Sequence, residues 1–473
     1  MGKENTAPLK GTRDFLPQDV RRREHVLAVV REVYGRYGFE PLETPAMERL
    51  ETLLGKYGEE GDQLIFRVLH RGAELGRALD KVRAGATPAS IEEARAAFKR
   101  DELALADSAL RYDLTVPLAR VVAEHQGRLP RFFKRYQIQP VWRADRPAAG
   151  RFREFYQCDV DIVGSKDPIC EVEVASAVCQ VLDRLGFDDY RVRLNHRALL
   201  RGIVEAAGVP VEREVDAVTE LDKLGKVSAG EVQGSLEQRG IPARAAARLL
   251  EIAAGAAGGA GLGTGQLDSL AGALASSEAG RRGVAELRQL LALAAHAPCG
   301  PRLAFDPSLA RGLSYYTGPV FEVQVPDLAG SLGGGGRYDD LIGMFLKQPL
   351  PAVGFSLGLE RILVVMAERE MFPDLEAAAP VMVLRLEEST TAEALRAAAA
   401  LRGAGIATEL YPNVDKLGKQ LQYAESRGAR LVAFVGSRER DAGQVALKVM
   451  ATQQQHLAAE AELVATVREL LKA

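Results

Sequence analysis

Residues 132–164 read FFKRYQIQPVWRADRPAAGRFREFYQCDVDIVG, and this stretch decides the fold of the chain. Polar and apolar residues alternate in both halves of it, while its middle is rich in proline, alanine and glycine. Alternation with period two is typical of strands that bury one face of a sheet. The stretch therefore predicts two strands joined by a loop over Ala144–Gly150.

The second of these strands would present a polar row. Successive side chains of a strand point to opposite faces, so one face would carry Arg151, Arg153, Phe155, Gln157, Asp159 and Asp161. The other face would carry Phe152, Glu154, Tyr156, Cys158 and Val160. Periodicity alone leaves two interpretations equally open. The polar row is either the solvated face of a sheet or a site for a nucleotide beside a small cationic ligand, because arginine matches phosphate geometry and an aromatic ring stacks on a base.

The residues that precede this stretch indicate helices and an edge strand. Valines at helical spacing predict an amphipathic helix over 18–37, which Gly38 would end. Two prolines in residues 39–45 favour an edge or interface strand over a central one. Residues 71–106 are rich in alanine, arginine and glutamate and predict surface helix.

Downstream, a helix is predicted over 170–186, and the composition then changes. Residues 197–300 predict an inserted helical domain, with a flexible connection in the Ala- and Gly-rich segment 253–264. Strand character returns over 314–326. A glycine-rich turn is predicted at Gly333–Gly336, which lacks the Lys-Ser/Thr of a phosphate-binding P-loop. Its role is either close backbone packing beside the active site or that of a plain tight turn.

The last part of the chain predicts a separate small α/β domain. Residues 353–361 lead into a helix, and 372–380 read as a linker. The pattern beyond it is strand 381–386, helix 391–402, strand 406–411, helix 416–427, strands 430–435 and 444–450, and helix 457–472. The predicted domain ranges are 1–196, 197–300, 301–372 and 380–473.

Composition excludes several classes of protein. The chain has 473 residues, of which 47% are hydrophobic and 26% charged, as in soluble globular proteins of two or three domains. Its net charge of −3 argues against a protein that coats nucleic acid through bulk charge. The four cysteines form no Cys-x-x-Cys pair, so neither a zinc site nor a disulfide framework is expected. There is no bilayer-spanning apolar run and no signal-peptide core, so the cytoplasm is the expected compartment.

Five stretches in family order resemble the histidyl branch of the class II aminoacyl-tRNA synthetases. They are GFEPLETP at 38–45 (motif 1, a dimer-interface element), LRYDLTVPLAR at 110–120, WRADRPAAGRFREFYQCDVDIVG at 142–164 (motif 2), LARGLSYYTGPVFEV at 309–323 (the histidine-specific signature) and GFSLGLERIL at 354–363 (motif 3). The resemblance runs from about residue 8 to the C-terminal end and favours the ligand-site interpretation of the polar row. It implies an α+β fold, with an antiparallel-sheet catalytic domain that a helical insertion interrupts, followed by an α/β anticodon-binding domain.

The resemblance also implies roles for individual residues. The ATP site would comprise Arg143 and Arg311 at the α-phosphate, Arg151 and Arg361 at the β- and γ-phosphates, and Asp145 and Phe155 at adenine. The histidine site would comprise Asp113, Leu114, Thr115 and Gln157 at the amino group, Asp161, Tyr315 and Tyr316 at the imidazole, and Arg311. Arg143, Arg311 and Arg361 would be the catalytic residues, and no metal-binding residues are expected.

The implied reaction joins histidine to tRNA(His) in a homodimer. The histidine carboxylate would attack the α-phosphorus of ATP, with Mg²⁺ on the pyrophosphate side, and the adenylate would pass histidine to the 3′ end of the tRNA. Two rivals are a non-catalytic paralogue that regulates histidine biosynthesis and an RNA-binding sensor module. Both would be free to lose the ATP arginines, and the paralogue usually lacks the last domain; this chain keeps both features.

Overall fold

The structure is a computed structural model that describes residues 6–85, 105–148, 150–224, 227–255, 264–310, 315–328, 330–346, 348–373, 375 and 379–472. The chain divides into two compact units, Met1–Met371 and Phe372–Ala473. The break falls at the beginning of the predicted linker. The other domain boundaries remain predictions.

The described strands of the first unit lie in one large and one small sheet. They are β1 Glu40–Pro41, β2 Met47–Arg49, β3 Arg67–Val68, β4 Ser108–Leu110, β5 Phe133–Trp142, β6 Glu154–Val163, β7 Arg191–His196, β8 Leu303–Phe305, β9 Pro319–Gln324, β10 Gly333–Arg337 and β11 Ala352–Gly358. The large sheet has the order β1-β5-β6-β11-β10-β9-β7-β8, and the small sheet has the order β2-β4-β3. Only the outer pairs β1–β5 and β7–β8 of the large sheet are parallel. The predicted edge strand in 39–45 is thus confirmed as β1.

The helices of this unit cover the sheet and form the insertion. They are α1 Pro17–Arg36, α2 Leu50–Leu53, α3 Gly58–Gln63, α4 Gly72–Gly85, α5 Thr115–Glu124, α6 Ile169–Arg184, α7 Arg197–Ala206, α8 Glu214–Leu221, α9 Ala229–Gln238, α10 Ala243–Gly255, α11 Thr264–Ala273, α12 Glu278–Ala294 and α13 Leu359–Glu368. Eleven of the sixteen residues of helix α6 are buried, and the helix packs on β6 and β11, while α1 packs on α6 and α13. Helices α7 to α12 lie between β7 and β8 in the chain. Of the predicted segments 71–106 and 253–264, residues 86–104 and 256–263 lie outside the described residues.

The β5–β6 hairpin confirms the two strands predicted from residues 132–164. Its register runs from Phe133 opposite Val163 to Trp142 opposite Glu154, and β11 continues the sheet beside β6. One detail of the prediction is wrong. Strand β6 begins at Glu154, so Arg151 and Arg153 belong to the loop rather than to the polar row. The backbone of Arg151 pairs with that of Ala148 across a tight turn, which breaks the alternation there.

The predicted turn at Gly333–Gly336 is also wrong, because these residues form strand β10, whereas the alternative of close backbone packing beside the site is confirmed. This strand is fully buried and lies between β9 and β11. A Cβ atom on Gly335 would collide with the carbonyl oxygen of Gly354 in β11, so only glycine permits this close approach. A run of glycines has no alternating side chains, and the pattern therefore resembled a turn.

The second unit is a five-stranded sheet with helices. Its elements are β12 Val381–Leu384, α14 Thr391–Gly403, β13 Thr408–Leu410, α15 Leu417–Ser426, β14 Leu431–Phe434, α16 Ser437–Asp441, β15 Gln444–Val449, β16 Gln455–Ala459 and α17 Leu463–Lys472. The strand order is β13-β12-β14-β15-β16, with the first three strands parallel. The predicted helix over 457–472 is wrong at its beginning, because β16 occupies 455–459. The turn before β16 uses Gln453 at φ 61° instead of a glycine, so the sequence carried no turn signal.

Candidate active site

A cavity of about 330 Å³ opens over strands β6, β10 and β11 of the first unit. Its wall contains Asp113, Thr115, Arg143, Asp145, Arg151, Phe155, Gln157, Asp161, Tyr315, Tyr316 and Arg361, all of which the sequence predicted as site residues. The side chain of Leu114 is fully buried and does not line the cavity. Arg311 lies outside the described residues.

Arginines and aromatic rings gather at one part of this wall. The guanidinium carbon of Arg143 lies 5.1 Å from the ring centroid of Phe155 and 4.3 Å from that of Tyr112. Its Nε donates to the carbonyl oxygen of Tyr112 at 3.1 Å, which fixes the side chain. Arg361 lies in the first turn of α13 and donates to the backbone carbonyls of Ser331 and Gly150. This part combines fixed cations with a flat ring, which suits a nucleotide.

Buried carboxylates gather at another part. Asp113 accepts hydrogen bonds from the Tyr57 hydroxyl at 3.0 Å and the Val116 amide at 3.1 Å. The Tyr315 hydroxyl lies 3.5 Å from its other oxygen. Burial raises the pKa of Asp113 above its usual range, because the cavity wall removes the carboxylate from water. A ligand with a positive charge would relieve this cost.

Asp161 and Asp159 share a single buried cation. Nη2 of Arg135, which is 0% exposed, lies 2.8 Å from Asp161 and 4.0 Å from Asp159. The Tyr338 hydroxyl donates to Asp161. The pKa of Asp159 is raised to about 7, chiefly by burial; Arg135 lowers it, and the neighbouring charge of Asp161 adds to the rise. Two carboxylates facing one arginine leave this wall negative when both are ionised.

Several cavity residues had no role in the sequence-based assignment. They are Asp159, Ser331, Tyr338, Ser356 and Glu360. Tyr338 follows β10 directly, so the mistaken turn concealed its position beside Asp161. Burial raises the pKa of Glu360 to about 7, and its carboxylate accepts the Tyr156 amide at 2.9 Å. Arg135 lies on β5, behind the cavity wall that β6 forms. The alternation of residues 135, 137 and 139 is the sequence signal that could have predicted its inward-facing position.

Comparisons with known proteins identify the family of the chain. A family model described as histidyl-tRNA synthetase matches residues 11–90 and 78–362 of the chain. The chain belongs to the histidyl-tRNA synthetase family. An anticodon binding domain model matches residues 380–470, which lie in the second unit. The resemblance inferred from the five motifs is therefore confirmed.

Relatives match along nearly the whole chain. The histidine–tRNA ligase of Porphyromonas gingivalis is 42% identical over 458 residues, which cover 96% of this chain and 97% of the relative. That of Flavobacterium johnsoniae is 39% identical over 94% of this chain and 95% of the relative. The crystal structure of histidyl-tRNA synthetase from Nostoc sp. PCC 7120 superposes with a TM-score of 0.79 at 28% identity, covering 99% of this chain and all of that one. These likenesses confirm the class II fold with a C-terminal anticodon-binding domain.

No group of three or more His, Cys, Asp or Glu side chains is placed to hold a metal ion in the described part of the chain. Within the same residues, no helix has the length and apolar character needed to span a bilayer.

Proposed function

We propose that this chain is a histidine–tRNA ligase, which activates L-histidine with ATP and transfers it to the 3′ end of tRNA(His). One observation carries the proposal. A single cavity has arginines and an aromatic ring in one part of its wall and buried carboxylates in another. A nucleotide triphosphate and a small amine-bearing molecule could therefore lie in it side by side.

In this proposal the nucleotide lies over Phe155. Adenine would stack on this ring, and Asp145 would accept from the adenine amino group. Arg143, already fixed beside Phe155, would bind the α-phosphate, and Arg151 and Arg361 would hold the β- and γ-phosphates. The family resemblance adds Arg311 at the α-phosphate.

Histidine would lie against the carboxylates. Its ammonium group would face Asp113, Thr115 and Gln157, and Asp161 with Tyr316 would recognise the imidazole, beside Tyr315. The edge contact between the two tyrosine rings, with centroids 5.0 Å apart, supports a rigid wall at this point. Since the side chain of Leu114 is buried, any contribution of this residue would come from its backbone.

The chemistry requires charge stabilisation more than proton transfer. Attack of the histidine carboxylate on the α-phosphorus accumulates negative charge on phosphoryl oxygens, and fixed arginines stabilise that charge. A rigid cavity also holds the two reactants in line. Mg²⁺ would accompany the ATP phosphates, whose negative charge binds it.

The assembly and location are proposed from the family. A homodimer would place motif 1, which contains β1, at the subunit interface, and the cytoplasm would be its compartment. We propose the range 1–196 with 301–372 as the catalytic domain, 197–300 as the insertion and 380–473 as the anticodon-binding domain.

Lys416, Lys419, Arg427 and Arg430 lie on or next to α15 and are candidates for contact with tRNA phosphates, but most of them are paired within the domain. Lys419 pairs with Asp415 at 3.0 Å, and Arg427 pairs with Glu409 at 3.1 Å. Arg430 donates to the carbonyl oxygen of Leu471. Such pairing reduces the charge that α15 and its flanks offer to phosphate, so a tRNA contact in this domain would depend on more than these side chains.

The test is ATP–pyrophosphate exchange with each standard amino acid in turn. We expect exchange only with histidine, followed by charging of tRNA(His) when tRNA is added. A regulatory paralogue would give neither reaction. Exchange driven by another amino acid would contradict the proposed substrate.

A further inference from the structure

The side-chain amide of Gln157 on β6 has hydrogen-bond partners at its nitrogen. Its Nε2 donates to the Ser356 hydroxyl at 2.6 Å and lies 3.4 Å from Oδ1 of Asp159. The residue is 6% exposed and borders the cavity. Its amide oxygen is enclosed and has no hydrogen-bond donor among the described residues. Buried acceptors of this kind are normally satisfied, so the missing donor indicates a ligand.

The partners of the amide determine which of its ends faces them. An ionised carboxylate only accepts hydrogen bonds, so the NH₂ end of Gln157 must face Asp159. The Ser356 hydroxyl donates to Asp159 and can therefore accept from Gln157. The three groups satisfy one another in only this orientation, which directs the amide oxygen away from them.

Arg135 supports the arrangement from behind the wall. Its guanidinium lies 4.0 Å from Asp159 and is fully buried, so the attraction is weakly screened. This attraction lowers the pKa of Asp159 and partly offsets the burial that raises it to about 7, so above about pH 7 the carboxyl is ionised and can only accept. A protonated Asp159 would be able to donate and would no longer exclude the opposite amide orientation.

We propose that Asp159 and Ser356 are positioning residues, which hold the Gln157 amide so that its oxygen accepts a hydrogen bond from the ammonium group of the amino-acid substrate. The inference rests on the proposed function and deepens it. In this arrangement Asp159 and Ser356 determine that the site accepts a hydrogen-bond donor at the amino group of the substrate. Neither residue needs to touch the substrate itself.

The first experiment compares single variants in histidine-dependent pyrophosphate exchange. Asp159→Asn removes the enforced orientation, because an asparagine can both donate and accept. We expect the KM for histidine to rise about tenfold, which equals ~1.4 kcal/mol, with the KM for ATP and kcat nearly unchanged. Ser356→Ala should shift the same parameter in the same direction. Asp216→Asn is the matched control, since this carboxylate lies on α8, outside the cavity, and pairs with Arg213 and Arg239.

The decisive variant exchanges the two groups. Gln157→Glu alone places two carboxylates together and should also weaken histidine binding. The double variant Gln157→Glu/Asp159→Asn conserves charge and size, and the new asparagine can donate to the new carboxylate. The second oxygen of the carboxylate at position 157 would again accept a hydrogen bond from the substrate. We therefore expect the KM for histidine to recover to within about threefold of that of the unaltered chain.

Each outcome has a clear meaning. Recovery of the KM for histidine in the double variant supports the positioning role. If the two substitutions merely damaged the structure, their effects on KM would add instead of cancelling. An unaltered KM in folded Asp159→Asn and Ser356→Ala, or a double variant worse than either single one, would overturn the inference while leaving the proposed function intact. Absence of histidine-dependent exchange in the unaltered chain would overturn both.

Discussion

Replacement of Arg135 by methionine should destabilise the first unit strongly. Methionine resembles arginine in length and fits an apolar site, so the main loss is the charge. Arg135 is the buried cation that faces Asp159 and Asp161, and it also donates to Gln137 and to the carbonyl oxygen of Leu114. The variant leaves two carboxylates buried without that counter-ion.

The structure permits an estimate of the magnitude. Removal of one partner from a buried ion pair costs about 3–5 kcal/mol, since the remaining charge stays out of water. With an m value of ~3 kcal/mol per molar urea, the midpoint should fall by about 1 M or more. The loss of stability should be larger at pH 8 than at pH 5. At the lower pH, protonation of Asp159 and Asp161 removes their charge, and with it the cost of burying that charge without a counter-ion.

Urea unfolding followed by tryptophan fluorescence measures the stability of the first structural unit. The chain has one tryptophan, Trp142, at the end of β5. Arg184→Met is the control, because its pair with Glu32 is about half exposed and should contribute little. The double variant Arg135→Met/Asp161→Asn should recover much of the loss. A midpoint for Arg135→Met within error of the control, or a double variant no more stable than the single one, would refute the argument.

Four further predictions concern the site and the domains. Gly354→Ala should raise the KM for histidine about tenfold in pyrophosphate exchange, because the added Cβ would collide with the Asp161 carboxylate. Arg311→Ala should reduce adenylation on the order of a hundredfold, with much less change in histidine binding measured by calorimetry. Because burial raises the pKa of Asp159 to about 7 in the folded chain, the free energy of unfolding should fall as pH rises from about 4 to 7, and Asp159→Asn should remove this component in urea titrations. A chain that ends near residue 375 should retain pyrophosphate exchange and lose most charging of tRNA, with a smaller salt dependence of tRNA binding.

The opposite results would be equally informative. A normal histidine KM in folded Gly354→Ala would mean that Asp161 does not recognise histidine from its present position, and full adenylation by Arg311→Ala would remove that residue from the chemistry. An identical pH dependence with and without Asp159 would assign the titration to another group. Unchanged tRNA affinity after truncation would mean that the second unit does not bind tRNA.

Local patterns were sufficient for much of the fold and for most of the cavity wall. The alternation in residues 132–164 predicted β5 and β6, and two prolines placed β1 at an edge. Local patterns failed where the determining contact is distant in sequence. The glycines of β10 have no pattern of their own, and the beginning of β16 depends on its pairing with β15 rather than on a turn residue.

The sequence by itself determined the family, the fold class and the residue types of the cavity, because motifs and periodicity are local properties that survive without coordinates. Only the tertiary structure decided which charges face one another. Arg135 is remote in sequence from Asp159 and Asp161, and strand pairing between β5 and β6 brings them together. The orientation of Gln157 depends in the same way on Ser356 of β11, which pairing sets opposite Asp159. Electrostatic and hydrogen-bond partners are chosen by distance in space, and the sheet register supplies that distance.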